Sequence, residues 1–202
     1  MQITLQNIAK KYKSQWIFRN VNYIFEKGKK YAILGENGSG KSTLLKIISG
    51  QTTPNKGTVS YFSDTKIEIE DVHKKLSYCA PYIDLIEELT FAEIVAFVAK
   101  FKSFTTTFDV HTLQKQFNFS ENKWIKDYSS GMKQRVKLIL ALYLDVDLIL
   151  LDEPTSNLDE EGVQWFLKTI NEIDKNKTII IASNIKREYD FCDEVIKISD
   201  YR

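Results

Sequence analysis

The sequence predicts an α/β fold: a mostly parallel sheet with crossover helices, an N-terminal antiparallel β subdomain, and a helical lobe in the middle of the chain. Three observations carry this. In the final third, short apolar runs that suit buried strands alternate with amphipathic stretches that suit helices, the arrangement of βαβ units. A glycine-rich loop, GENGSG, lies between one such strand and one such helix. The first thirty residues alternate apolar and polar positions between polar turns, as antiparallel strands do.

Taken in order, ITLQNI, WIFRNVNYIF and the turn EKGKK make up the antiparallel segment. KYAIL is a short strand, GENGSG a loop, and KSTLLKIISG a helix in which Leu44, Leu45, Ile47 and Ile48 share one face and Gly50 is the C-terminal cap. The turn TTPNKG leads to the strand-like VSYF and KIEIE. Residues 84–144 read as mainly helical. LTFAEIVAFVAKF opens with Thr90 and, three residues on, Glu93, a capping-box pair, followed by apolar residues at helical spacing; Ser103 to Thr107 reads as a loop. DLILLDEP is then a strand, DEEGVQWFLKTINEI a helix, KTIIIAS a strand and EVIKI a last strand. A sheet of this kind carries ligands at the carboxyl ends of its strands.

A chain of 202 residues suits one substantial core, so residues 1–202 are expected to form a single domain. Its net charge of +1 gives no electrostatic footprint for nucleic acid, and no nucleic-acid partner is expected. Cys79 and Cys192 lie far apart with no paired Cys/His cluster, which argues against a zinc site or a disulfide framework and suggests core thiols. The longest apolar run, Leu138 to Leu151, is interrupted by Asp145 and Asp147, so no spanning helix is expected. The N-terminus lacks the apolar stretch of a signal peptide, and cytoplasmic residence is expected.

GENGSGKS, Gly35 to Ser42, fits G-x-x-x-x-G-K-[ST] in the context that motif requires, after a strand and opening a helix. Its glycines let the backbone turn amides inward around phosphate oxygens, and the helix start adds its positive dipole end. Lys41 reaches the β- and γ-phosphates, and the Ser42 hydroxyl can ligate Mg²⁺. The candidate nucleotide contacts are therefore Gly35, Glu36, Asn37, Gly38, Ser39, Gly40, Lys41, Ser42 and Thr43. LILLDEP delivers Asp152 at a strand end, where a carboxylate can hold the magnesium shell, with Glu153 beside it to orient or deprotonate an attacking water.

With YSSGMKQR (Tyr128 to Arg135) lying between GENGSGKST and LILLDEPTSNLD, the chain resembles the nucleotide-binding domain of an ABC transporter ATPase over essentially its whole length. That resemblance implies a phosphate-loop NTPase core with a helical signature lobe at about 84–144, and ATP and Mg²⁺ as cofactors. It also implies a head-to-tail homodimer or heterodimer of such domains, with two ATP molecules between them. Ser129 and Gly131 would face the γ-phosphate held by the other subunit, Asp159 would lie at the dimer interface, and Tyr12 would stack on adenine, with Trp16 as the alternative. Asp159 also suits the N-cap of the following helix.

Two positions depart from the family. Aligned on Tyr78 and on Leu89-Thr90, the glutamine that normally touches magnesium and water is replaced by Pro81, which offers no side-chain donor or acceptor. After TIIIA, where the family places histidine, this chain has Asn184, a neutral donor that cannot carry charge or pass a proton. His73 and His111 fall elsewhere and read as surface or structural residues. Catalysis is accordingly assigned to Glu153 and Asn184, with slowed hydrolysis expected. Three roles stay open: the ATPase subunit of a membrane transporter, bound to separate transmembrane permease subunits at the inner face of the membrane; a soluble non-transport ATPase; and a nucleotide-gated dimeric clamp with weak turnover.

Overall fold

The computed structural model describes residues 1–201, which divide into two compact units. The first comprises Met1–Tyr78, Val146–Glu153 and the chain from Asp174 onward; the second comprises Cys79–Asp145 and Pro154–Ile173.

In the first unit, β1 (Gln2–Tyr12), β2 (Gln15–Phe25), β4 (Lys56–Phe62) and β5 (Lys66–Ile67) form an antiparallel sheet in the order β2-β1-β4-β5. Of KIEIE only Lys66 and Ile67 pair, because the Asp71 N–H closes a turn on the Glu68 carbonyl (3.0 Å) and leads the chain away. A second sheet has the order β6-β7-β8-β3-β9, made of β3 (Lys30–Leu34), β6 (Leu76–Cys79), β7 (Leu148–Asp152), β8 (Thr178–Ala182) and β9 (Glu194–Lys197). β7 pairs with β8, β8 with β3, and β3 with β9, all in parallel. Every residue of β7 and β8 is buried, which accounts for their unbroken apolar runs.

After β3 the chain enters α1 (Lys41–Ile48), whose Leu44, Leu45, Ile47 and Ile48 are buried in the same core as Leu148, Leu150 and Ile180 of the sheet. Each such side chain contributes roughly 1.5–3 kcal/mol relative to exposure. Gly50, at φ 78°, ends the helix in the left-handed conformation.

The second unit contains α2 (Phe91–Val98), α3 (Val110–Gln116), α4 (Ser130–Leu142) and α5 (Glu160–Glu172). The Thr90–Glu93 capping box forms in full. The expectation of a mainly helical stretch needs correcting, because α2, α3 and α4 cover fewer than half of residues 84–144. The connections are held by aromatic packing rather than by helical hydrogen bonds. Phe104 stacks on Phe108 (4.1 Å between ring centres), and Phe119 lies within 5.2 Å of both Phe91 and Tyr128. His111 is exposed on α3, and His73 is exposed in a short 3₁₀ turn before β6.

Candidate functional site

The cleft that collects half of the candidate residues is built at the carboxyl ends of β3 and β7. It has a volume of about 290 Å³ and is lined by Tyr12, Ile17, Asn37, Gly38, Gly40, Lys41, Ser42, Thr43 and Glu153. Tyr12 is half exposed, at 50%, with the Lys10 ammonium 5.4 Å from its ring centre. Trp16 is not among the lining residues; its ring has Lys11, Arg19 and Lys56 within 6 Å of its centre instead.

Backbone geometry makes the cradle. The loop between β3 and α1 turns through Gly35, Gly38 and Gly40, all at positive φ. At Gly40, φ is 109°, and a Cβ would stand 2.5 Å from Cγ2 of Ile17, so both conformation and space demand glycine. Gly40 is also the N-cap of α1 and offers no side chain, so the first amides of this helix are left for an incoming anion. Lys41, 5% exposed, curls its ammonium onto the loop, donating to the carbonyls of Gly35 (2.6 Å) and Glu36 (3.2 Å). Ser39 is buried beneath the loop, and its hydroxyl finds no hydrogen-bond partner among the described residues.

The sheet places the carboxylates. Asp152 ends β7 and is 1% exposed. The ladder continues one residue further, with the Glu153 N–H donating to the Ala182 carbonyl (2.9 Å). Glu153 then turns at φ 46°, a left-handed conformation that carries strain for a side-chain-bearing residue and brings it to the cleft wall. The β8 ladder likewise extends to Ser183, whose N–H donates to the Ile33 carbonyl (3.2 Å). Next comes Asn184, whose side-chain amide donates to Oδ1 of Asn37 in the phosphate loop (3.0 Å). Asn184 therefore meets the loop itself.

Ser129, Gly131 and Asp159 belong to the second unit. Ser129 caps α4 by accepting from the Met132 N–H (3.2 Å). Gly131 lets the chain after β7 pass close, since a Cβ there would lie 2.9 Å from the Asn157 carbonyl oxygen. Asp159 caps α5 by accepting from the Gly162 N–H (2.8 Å) and pairs with Arg135; these two contacts, the Gly162 amide first, hold its carboxyl below the usual range. Pro81 is exposed, and its carbonyl accepts from Lys137 Nζ (3.1 Å).

Sequence patterning missed Ile17, which the bulged β1–β2 pairing brings into the cleft, and Gln134. The Gln134 side chain is buried on α4 and donates to the Pro154 carbonyl (2.8 Å). A polar residue inside the apolar stripe of α4 was the available signal for the latter.

Among the described residues no cluster of three His, Cys, Asp or Glu side chains could hold a metal on its own. The hydroxyl of Ser42 and the carboxylate of Asp152 are hard oxygen donors of the kind that hold Mg²⁺ together with substrate phosphates.

A phosphate cradle at the carboxyl edge of a parallel sheet, with a lysine at the start of the following helix and a carboxylate at the end of β7, two strands over from β3, defines a phosphate-loop nucleotide-binding protein. Residues 18–156 match the ABC transporter family. Across 99% of its length, the chain is 32% identical to the ABC transporter ATP-binding protein YybJ of Bacillus subtilis, covering 94% of that protein. It is 31% identical over 96% of its length to the lantibiotic transport ATP-binding protein SrtF of Streptococcus pyogenes, covering 85% of it. Among solved structures, the dimeric post-hydrolysis form of the ATP-binding cassette MJ0796 with ADP and Pi superposes with a TM-score of 0.81 at 26% identity, over 96% of this chain and 93% of that one. The chain belongs to the ABC transporter family as one of its ATP-binding proteins, and it is an ATPase.

Proposed function

We propose that residues 1–202 act as one ATPase domain of a membrane transporter, held at the inner face of the membrane by separate transmembrane permease subunits. Two such domains, identical or paired with a relative, close head to tail around ATP, and that closure drives the permease. The observation that supports this best is the convergence of Lys41, Ser42, Thr43, Glu153 and Tyr12 on one cleft under the uncapped start of α1. No helix among the described residues is long and apolar enough to cross a membrane.

In this scheme the loop amides from Gly35 to Gly40 receive the β- and γ-phosphates. Lys41 exchanges its two carbonyl partners for phosphate oxygens, so that its ammonium meets charged acceptors in place of neutral ones. Tyr12 packs on the adenine. Ser42 and Asp152 would hold Mg²⁺, which supplies charge neutralisation at the phosphates. Glu153 takes the proton of the attacking water and hands it to solvent through the open side of the cleft. Ser129 and Gly131 meet the γ-phosphate of the other subunit, and Asp159 lies at the junction between the two domains.

Turnover is slow because Pro81 contributes no polar side chain and Asn184 no charge. This same pair of residues favours a second reading, a nucleotide-gated clamp that dimerises with little hydrolysis. Steady-state ATPase of the purified chain with its membrane partner separates the two. In the transporter scheme Glu153→Gln lowers kcat by about 100-fold while ATP still binds, and Asn184→His raises kcat by about fivefold through a charged contact. A rate indifferent to Glu153→Gln removes Glu153 from catalysis and leaves the clamp.

A further inference from the structure

The Glu188 side chain is fully buried at the end of the short 3₁₀ turn that follows Asn184, and nothing in the phosphate chemistry uses it. The Ser183 hydroxyl donates to its Oε2. The same hydroxyl oxygen accepts the Ile185 N–H (2.9 Å), while the Ser183 N–H is fixed to Ile33 on β3, the strand that runs into the phosphate loop. The Glu188 N–H closes the turn on the Ile185 carbonyl (2.9 Å). Residues 183 and 185 are thus both pinned, and Asn184 is the one residue between them. It projects onto Asn37.

We infer that Glu188 is a positioning residue: acting through Ser183, its buried carboxylate sets the backbone on both sides of Asn184 and so keeps the Asn184 amide against Asn37 at the phosphate loop. This rests on the reading of Asn184 as a residue that serves nucleotide turnover. An exposed asparagine has several rotamers and a mobile backbone to lose on ordering, and a contact at 3.0 Å persists only if that cost is met elsewhere. The Ser183–Glu188 bond lies out of water, where a hydrogen bond to a carboxylate is strong and is not exchanged for solvent. Ile185, the other pinned neighbour, is 45% exposed, so its packing cannot supply the constraint.

The test is a double-mutant cycle on ATP turnover, with melting temperature recorded for each variant. Glu188→Met removes the acceptor at nearly constant volume and is expected to lower kcat about tenfold with KM for ATP within about twofold. Glu188→Gln keeps an oxygen for the Ser183 hydroxyl and is expected to stay within about twofold of the parent. In the Asn184→Ala background, Glu188→Met is expected to cost less than about twofold, because the residue it positions is already gone. If Glu188→Met does not fold, the Ser183→Ala/Glu188→Gln pair breaks the same bond without leaving a bare buried carboxylate and is run through the same cycle. A tenfold loss that persists without the Asn184 side chain, or a Gln variant as slow as the Met one, overturns the positioning role. Failure of the underlying reading is distinguishable: an Asn184→Ala protein with parental kcat removes Asn184 from turnover, and with it the inference, whatever happens at Glu188.

Discussion

The helix starts of the two units differ. In the second unit α2, α3, α4 and α5 each begin on a side chain that accepts one of their own amides, from Thr90, Asp109, Ser129 and Asp159 respectively. In the first unit α1 begins on Gly40 and has no side-chain cap, although a cap typically contributes about 1 kcal/mol. The lesson is that the missing cap belongs to the function. Position 40 has no room for a capping side chain, since even a Cβ would meet Ile17 Cγ2 at 2.5 Å, so the amides that an anion needs stay unoccupied. The α4 start keeps its cap, and in the proposed dimer its Met132 amide would be shared or surrendered when a phosphate of the other subunit arrives. On that proposal one site is ready before binding and the other is completed by it.

The largest expected effect comes from removing the charge that the uncapped helix presents. Lys41→Ala should weaken ATP binding by about 100-fold, the loss of charge-assisted bonds to two phosphates, while moving the melting temperature little. Isothermal titration alongside a melt checks both halves. If affinity is retained, the first unit is not the ready-made cradle that its bare helix start indicates.

Gly40→Ala addresses the same helix start sterically. The new methyl meets Ile17 Cγ2 at 2.5 Å and the Phe18 ring at 3.1 Å, in a backbone conformation alanine avoids. A destabilisation of about 2 kcal/mol is expected, a drop of roughly 4–8 °C for a chain of this size. A melting temperature within a degree of the parent would mean that the loop relaxes freely and that glycine is dispensable there.

Much of this was legible in the chain. KYAIL, DLILLDEP and KTIIIAS read as buried strands because residues covered on both faces leave an unbroken apolar signature, and the observed β3, β7 and β8 fall within one or two residues of those runs. The capping box at Thr90 and the helix end at Gly50 were equally plain, since both depend on neighbours in sequence. What the sequence concealed depends on residues far apart along the chain. The Asn184–Asn37 bond spans 147 positions, and the aromatic packing that holds the connections on either side of α3 joins rings from separate segments. Periodicity registers that a phenylalanine is apolar, and a helix and an aromatic cluster offer it the same pattern.

The smallest effect tests the capped side of the contrast. Asp159 accepts from Gly162 and pairs with Arg135, and its carboxyl titrates below the usual value near 3.8. Because the folded-state value is the lower one, the stabilisation is fully present above the unfolded value and fades as pH falls through the folded one. Asp159→Ala should therefore cost about 1 kcal/mol at pH 7, or roughly 2–4 °C, and the gap to the parent should close as the pH drops below about 4. The side chain is 64% exposed, so solvent screening keeps the ion pair's share small and most of the loss belongs to the cap. Adding salt separates the two contributions: a gap that survives 1 M salt is the hydrogen bond to Gly162, and one that disappears is the charge pair with Arg135. The second result would make Asp159 chiefly a tether between α4 and α5, with its cap the minor part.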